Sequence, residues 1–161
     1  MPKRSAGILL YRLRTGPPQV LLVHPGGPFW EKKDLGAWSI PKGEYAQGED
    51  PRACALREFE EELGAPAPAD ALTGLGTTRL ASGKLVTAWA AEGDLDPASV
   101  TSNTFTLEWP PHSGVMREFP EVDRAQWFSL ADARRWINPA QVELLERLGE
   151  ELERGGPPPT G

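Results

Sequence analysis

Glu49, Arg57, Glu58, Glu61 and Glu62 are the residues of this chain whose types and spacing could do chemistry. At 100° per residue, Glu58, Glu61 and Glu62 fall within one arc of a helix, while Leu56, Phe59 and Leu63 fall nearly opposite. A helix so patterned buries its apolar stripe and presents three carboxylates together. Like charges at these spacings repel by a few tenths of a kcal/mol per pair, so a counter-charge is required. A hard divalent cation supplies it: Mg²⁺ takes oxygen ligands, keeps some water, and is commonly shared with substrate phosphates. Arg57, four residues before Glu61, is spaced to orient that carboxylate. The competing reading is a solvated acidic face, the usual fate of a charge run.

The elements that must hold these residues carry their own signals. Asp50 is a helix N-cap, Pro51 suits the first helical position, and Gly64 followed by Pro66 closes the helix. That gives about three and a half turns. Just upstream, Trp38-Ser39-Ile40 reads as a short strand leading into Pro41-Lys42-Gly43-Glu44. There Gly43 permits a tight turn and close backbone approach, and Lys42 offers a phosphate a point charge.

The pattern Gly43-x5-Glu49-x7-Arg57-Glu58-Phe59-x-Glu61-Glu62-x-Gly64-Ala65 resembles the Nudix box at every position, over 23 of 161 residues. The resemblance implies an α/β fold, a Nudix-type α/β/α sandwich with a mixed central sheet. It also implies hydrolysis of a nucleoside diphosphate linked to a further group, with Mg²⁺, or Mn²⁺ in its place. Glu58, Glu61 and Glu62 match the metal-binding glutamates of the family, Arg57 the arginine that holds them, and Glu49 an acidic position peripheral to the metals. Lys42 and Gly43 are the expected substrate-binding positions. Many members take a further glutamate from a loop shortly before a Trp-containing strand. Glu118, Glu121 and Asp123, ahead of Trp127, are the candidates. Pro120 should fix a turn that leaves Glu121 at the start of that loop, so Glu121 is preferred as fourth ligand or base. The longer stretches His24–Trp30 and Trp38–Tyr45 are similar to a bacterial subgroup of predicted nucleoside triphosphate pyrophosphohydrolases. Dinucleoside polyphosphates and nucleoside triphosphates are the expected substrates. The alternative is a nonhydrolytic nucleotide-binding sensor on the same fold. Prenyl diphosphate isomerisation is disfavoured, because the single cysteine, Cys54, lies within the box helix and reads as a packing residue.

Composition narrows the setting. A formal charge of −6 argues against duplex nucleic acid as a partner, leaving a small nucleotide. One cysteine excludes an internal disulfide and suits a reducing cytoplasm. No signal-peptide h-region follows Met1-Pro2-Lys3-Arg4, and no apolar run is long enough to span a membrane. A cytoplasmic protein is expected, with its oligomeric state open. Residues 1–154 read as one domain, and 155–161, Gly-Gly-Pro-Pro-Pro-Thr-Gly, as a disordered tail.

Along the chain, strands are expected over 5–14, 19–24, 72–80, 84–91, 101–109, 115–119 and 126–128. His24 is expected to be structural. Residues 25–37, with Phe29, Trp30, Lys32 and Lys33, form a long loop beside the site, and 120–124 an acidic loop. Ser129 with Asp132 predicts a capped helix through Trp136, and Asn138-Pro139 starts a last helix with Val142, Leu145, Leu148 and Leu152 on one side. Trp30, Trp38 and Trp109 suit base stacking, although packing is the commoner role.

Overall fold

The computed structural model describes residues 2–155. Apolar runs in the first two strands set the centre of the fold. Strand β1 (Arg4–Arg12) carries a continuous buried stretch and β2 (Gln19–Pro25) another, as strands covered on both faces must. Strands β3 (Lys42–Glu44), β4 (Thr73–Arg79), β5 (Leu85–Glu92) and β8 (Val122–Ser129) complete a six-stranded mixed sheet in the order β4-β5-β1-β2-β8, with β3 paired to β1. Among the described strands β1 and β5 run parallel, from Arg4 opposite Leu85 to Tyr11 opposite Glu92. Strands β6 (Thr104–Glu108) and β7 (Met116–Pro120) form a separate antiparallel ribbon.

Side chains alternate along each strand, so two apolar layers form. Ala6, Ile8, Leu10, Leu21 and Val23 face helix α1 (Pro51–Leu63) through Cys54, Ala55, Phe59 and Leu63. On the other face Leu9, Val20, Leu22, Val86 and Phe128 meet helices α2 (Leu130–Trp136) and α3 (Val142–Gly155) through Ala133, Leu144, Leu145 and Leu148. The fold is thus a mixed α/β sandwich. Ser129 caps α2 by accepting from the Asp132 amide at 3.1 Å, as its sequence predicts. Asn138 first caps a 3₁₀ turn, Pro139–Gln141, and α3 follows directly.

Several expectations change. Lys42-Gly43-Glu44 is strand rather than turn, with Ala6 opposite Gly43. Trp38-Ser39-Ile40 contributes two isolated bridges, Ser39 with Val23 and Trp38 with Ile137, rather than a strand. Most of the expected acidic loop belongs to β8, which pairs along β2 from Gln19 opposite Ser129 to Pro25 opposite Val122. Of the expected tail, Gly155 ends α3, and 156–161 lie outside the described residues. No helix among the described residues is long and apolar enough to cross a membrane.

Candidate active site

Helix α1 begins and ends on local chemistry. The Asp50 carboxylate accepts from the Ala53 amide at 3.3 Å, Pro51 occupies the first turn, and Gly64 stops the helix in the left-handed region at φ 77°. A Cβ on Gly64 would also lie 2.8 Å from the Thr101 carbonyl oxygen, so the segment after β5 packs directly on the helix end. The backbone then runs as a relay. The Asn103 amide donates to Glu61 O at 2.9 Å, the Glu121 amide to Asn103 O at 2.8 Å, and the Gly26 amide to Glu121 O at 3.0 Å. Three hydrogen bonds thereby lock Glu121, remote in sequence, beside the C-terminal half of α1.

The three helical glutamates do not share one environment. Glu62 is only 8% exposed, whereas Glu61 is half-buried. The expectation that all three face away from the packed side fails for Glu62. It sits at the edge of the carboxylate arc nearest Ala55 and Phe59, and β3 closes over that edge. Its Oε2 accepts from the Lys42 amide at 2.8 Å. Burial, reinforced by the charge of Glu58, pushes the Glu62 carboxyl up to about 8, against a favourable contribution from Lys42. Glu58 and Glu121 are also raised, each first by burial and next by the charge of Glu61. Burial, then the charge of Lys84, lowers Lys42. Lys42 is therefore not a solvated surface cation.

A stability prediction follows. A carboxyl raised in the fold contributes stability that is full below its ordinary value of 4.5 and is lost as pH climbs towards about 8. In EDTA, the melting temperature should fall across that window. Glu62→Gln keeps an acceptor for the Lys42 amide, so it should flatten the slope and melt higher than wild type in mildly alkaline buffer. Parallel pH–melting curves for the two proteins would count against this assignment.

Gly43 is needed for contact rather than for a turn. A Cβ there would stand 2.1 Å from Glu58 Cδ, an overlap that the carboxylate escapes only by moving. Gly43→Ala is accordingly expected to displace Glu58 and lower kcat by about tenfold or more, taking one catalytic contact as ~1.4 kcal/mol, with the melting temperature little changed. Wild-type kcat in that variant would show that the position of Glu58 does not matter.

Arg57 spans the box. It donates through Nη1 to Glu49, lies 3.5 Å from Glu58 and 3.8 Å from Glu61, and reaches Cys54 Sγ at 3.6 Å. Its nearest partner is thus Glu49 rather than Glu61. The contact lowers the Glu49 carboxyl and raises the guanidinium. Cys54 itself is fully buried beneath the Gly43 and Glu44 carbonyls and packs, as expected.

The remote candidates separate cleanly. Glu121 is the single bend residue between β7 and β8, and it lines the same cavity as Lys42 and Glu62. Glu118 lies on the ribbon, where its carboxylate accepts from the Thr104 hydroxyl. Asp123 turns to the other side of β8 and hydrogen-bonds His24 Nδ1 at 2.7 Å. The second ring nitrogen, Nε2, donates to the Lys33 carbonyl at 2.6 Å. His24 is fully buried against Trp38 and ties the loop after β2 to β8, a structural role.

The cavity at the carboxylate wall has a volume of about 250 Å³. Val23, Ala37 and Ile40 give it apolar surface, Trp30 lies at one side, and Ser39, Asn138 and Gln141 supply polar groups. Asn138 is legible in the sequence only as a helix start, and Gln141 not at all. Gln141 is 1% exposed; its Oε1 accepts from the Ile40 amide at 3.1 Å and its amide donates to Ser39 Oγ at 3.0 Å. A buried amide whose partners lie a hundred positions away leaves no local signal.

Among the described residues, no three acidic, histidine or cysteine side chains already converge closely enough to enclose an ion. Arg57 draws Glu58 and Glu61 one way and the Lys42 amide draws Glu62 another. The donor chemistry nevertheless fits a hard divalent cation. Glu58, Glu62 and Glu121 offer oxygen only, and each carboxyl is raised first by burial and then by a neighbouring carboxylate, a charge that such a cation would offset.

Comparison with known proteins places the fold. The RNA pyrophosphohydrolase of Rhodospirillum rubrum is 38% identical over 66 residues, which are 39% of this chain and only 38% of that relative. A Caenorhabditis elegans Ap4A hydrolase, solved as a binary complex, superposes with a TM-score of 0.66 at 24% identity, covering 93% of this chain and 98% of its own. The NUDIX domain of Shewanella oneidensis NrtR, complexed with ADP ribose, gives a TM-score of 0.65 at 18% identity over 94% of this chain and 88% of its own. At these identities the two structures establish the fold alone. The NUDIX domain model matches residues 1–148, through sheet, helices and site alike rather than through the acidic motif only, and the chain belongs to the NUDIX domain family.

Proposed function

We propose that the protein is a divalent-metal-dependent pyrophosphohydrolase that cleaves a diphosphate bridge in a nucleoside diphosphate linked to a further group, with dinucleoside polyphosphates or nucleoside triphosphates as substrates. The observation that carries this reading is the convergence of Glu62, Glu121 and Lys42 on one nucleobase-sized cavity, with Glu58 held behind them by Gly43. A Mg²⁺ ion, or Mn²⁺ in its place, held by Glu58, Glu61, Glu62 and Glu121 would polarise the phosphoryl oxygens and offset charge on the leaving phosphate. Lys42 meets a bridging phosphate as a point charge in a partly desolvated setting, where it acts more strongly than at the surface. Arg57 keeps Glu58 and Glu61 oriented while tied to Glu49. Glu121 serves as that fourth ligand or, in its place, as the base that takes a proton from the attacking water, whose oxygen bonds to phosphorus as the anhydride P–O bond breaks and the leaving phosphate takes the electron pair. Trp30 and Ile40 contact the base, and Gln141 holds the Ser39 and Ile40 wall rigid. The chemistry named for the R. rubrum and C. elegans relatives, both acting on phosphoric anhydrides of nucleotides, supports the same reading. A single buried thiol fits a reducing cytoplasm as its setting.

The test is purified protein with Mg²⁺ against dinucleoside polyphosphates, nucleoside triphosphates, nucleotide sugars and a 5′-triphosphorylated RNA, with products separated. Turnover of at least one, abolished by excess EDTA, is expected. Tight nucleotide binding without turnover of any would favour the nonhydrolytic sensor instead.

A further inference from the structure

Beyond the Glu121 partition lies a second groove. The chain segments 25–31 and 120–123 form a wall with two sides. Pro25, Trp30, Glu121 and Val122 face the candidate active site, while Gly27, Pro28, Glu31, Pro120 and Asp123 face the groove. The far side is closed by the β6–β7 ribbon through Trp109, Arg117 and Phe119, and the groove has a volume of about 320 Å³. Close packing builds it. A Cβ on Gly26 would lie 2.0 Å from the Pro120 carbonyl oxygen, and one on Gly27 would lie 2.9 Å from Phe105 Cζ. Phe29 meets Trp109 edge to face at 5.4 Å, and the Arg117 guanidinium lies 5.6 Å from the Phe119 ring. Phe29 remains 59% exposed and Arg117 is exposed.

We propose that this groove binds the second nucleoside of a dinucleoside polyphosphate whose phosphates cross Glu121, which rests on the pyrophosphohydrolase reading above. Its lining matches that occupant. Trp109 offers an aromatic face to a base, Arg117, stacked on Phe119, a cation to the flanking phosphate, and Glu31 an acceptor to ribose hydroxyls. Phe29 leaves a large aromatic ring open beside the groove, as binding surfaces do. A nucleoside triphosphate ends at the carboxylates and leaves the groove empty; only a substrate with a nucleoside at each end fills both sides of the partition. Trp109, Phe29 and Arg117 are then specificity-determining residues.

The experiment compares diadenosine tetraphosphate with ATP and with a 5′-triphosphorylated RNA on the wild-type protein and on Trp109→Ala. Base stacking predicts a KM for the dinucleotide raised about tenfold, with kcat little changed, so that selectivity for dinucleotide over ATP falls about tenfold. Phe29→Ala, at an exposed position that cannot disturb the core, is expected to shift selectivity the same way by a smaller factor. An equal loss on both substrates, or no change in selectivity with either variant, overturns the groove assignment. So does a loss confined to a 5′-triphosphorylated RNA, which would make the occupant an RNA nucleotide. Absence of any hydrolysis by the wild-type protein sinks the underlying reading instead, and the groove with it.

Discussion

Glu61→Gln and Glu62→Gln are each expected to lower kcat about 100-fold or more at saturating Mg²⁺, which is ~2.7 kcal/mol of transition-state stabilisation. Metal charge stabilisation supplies several kcal/mol in such sites, and each substitution removes a full charge from the donor set while keeping its shape. The two should differ in what else they do. Glu61 is half-buried and its nearest cation, Arg57, also holds Glu49, so Glu61→Gln should leave stability near wild type. Glu62 is buried on the packed edge of α1 with its carboxyl raised, so its ionised form is a burden without metal. Glu62→Gln should therefore pair the loss of kcat with a more stable metal-free protein. The wild-type protein should bind Mg²⁺ more weakly as pH falls below about 8, because protons then compete for Glu62. Full activity in excess EDTA, or wild-type kcat in either variant, would remove the metal role from these residues.

What the sequence made legible was what is local. Asp50, Pro51 and Gly64 bound α1 because caps act within one turn, and Phe59 and Leu63 face the core because helical period is a local property. The burial of Glu62 is not local. A helical wheel puts it at the margin of the polar arc, and the strand that covers it begins twenty residues upstream at Lys42. A three-residue strand of Lys, Gly and Glu carries no hydrophobic alternation; it pairs because Ser5, Ala6 and Gly7 offer a free edge, and Gly7 lets Pro41 approach. Likewise β8 begins four residues earlier than its aromatic part suggests, at Val122, because the edge of β2 extends that far. Asn138 and Gln141 reach the cavity only through the bridge from Trp38 to Ile137, a tertiary event. Glu121 was the exception among remote residues. Pro120 signalled where strand would yield to bend, and the bend is where its side chain enters the cavity.

That exception sets the second large effect. Glu121→Gln is expected to lower kcat by about 100-fold, whereas Glu118→Gln should keep kcat within about twofold, general-base catalysis being worth roughly 10²–10⁴. The backbone relay from Glu61 through Asn103 to Glu121 and on to Gly26 fixes Glu121 regardless of its side chain, so the substitution changes charge without moving the loop. The same relay keeps Glu121 close to Glu61, and its carboxyl is raised first by burial and then by the charge of Glu61. Glu118 instead serves the ribbon by accepting from Thr104, and losing its charge there touches only an exposed pair. The comparison also separates base from ligand. If Glu121 takes the proton, the kcat loss in Glu121→Gln should persist however much Mg²⁺ is added. A ligand role would show as a raised Mg²⁺ requirement that high metal restores. Wild-type kcat in Glu121→Gln alongside a collapse in Glu118→Gln would transfer the role to the ribbon, and the partition between the two grooves would then carry no catalytic group.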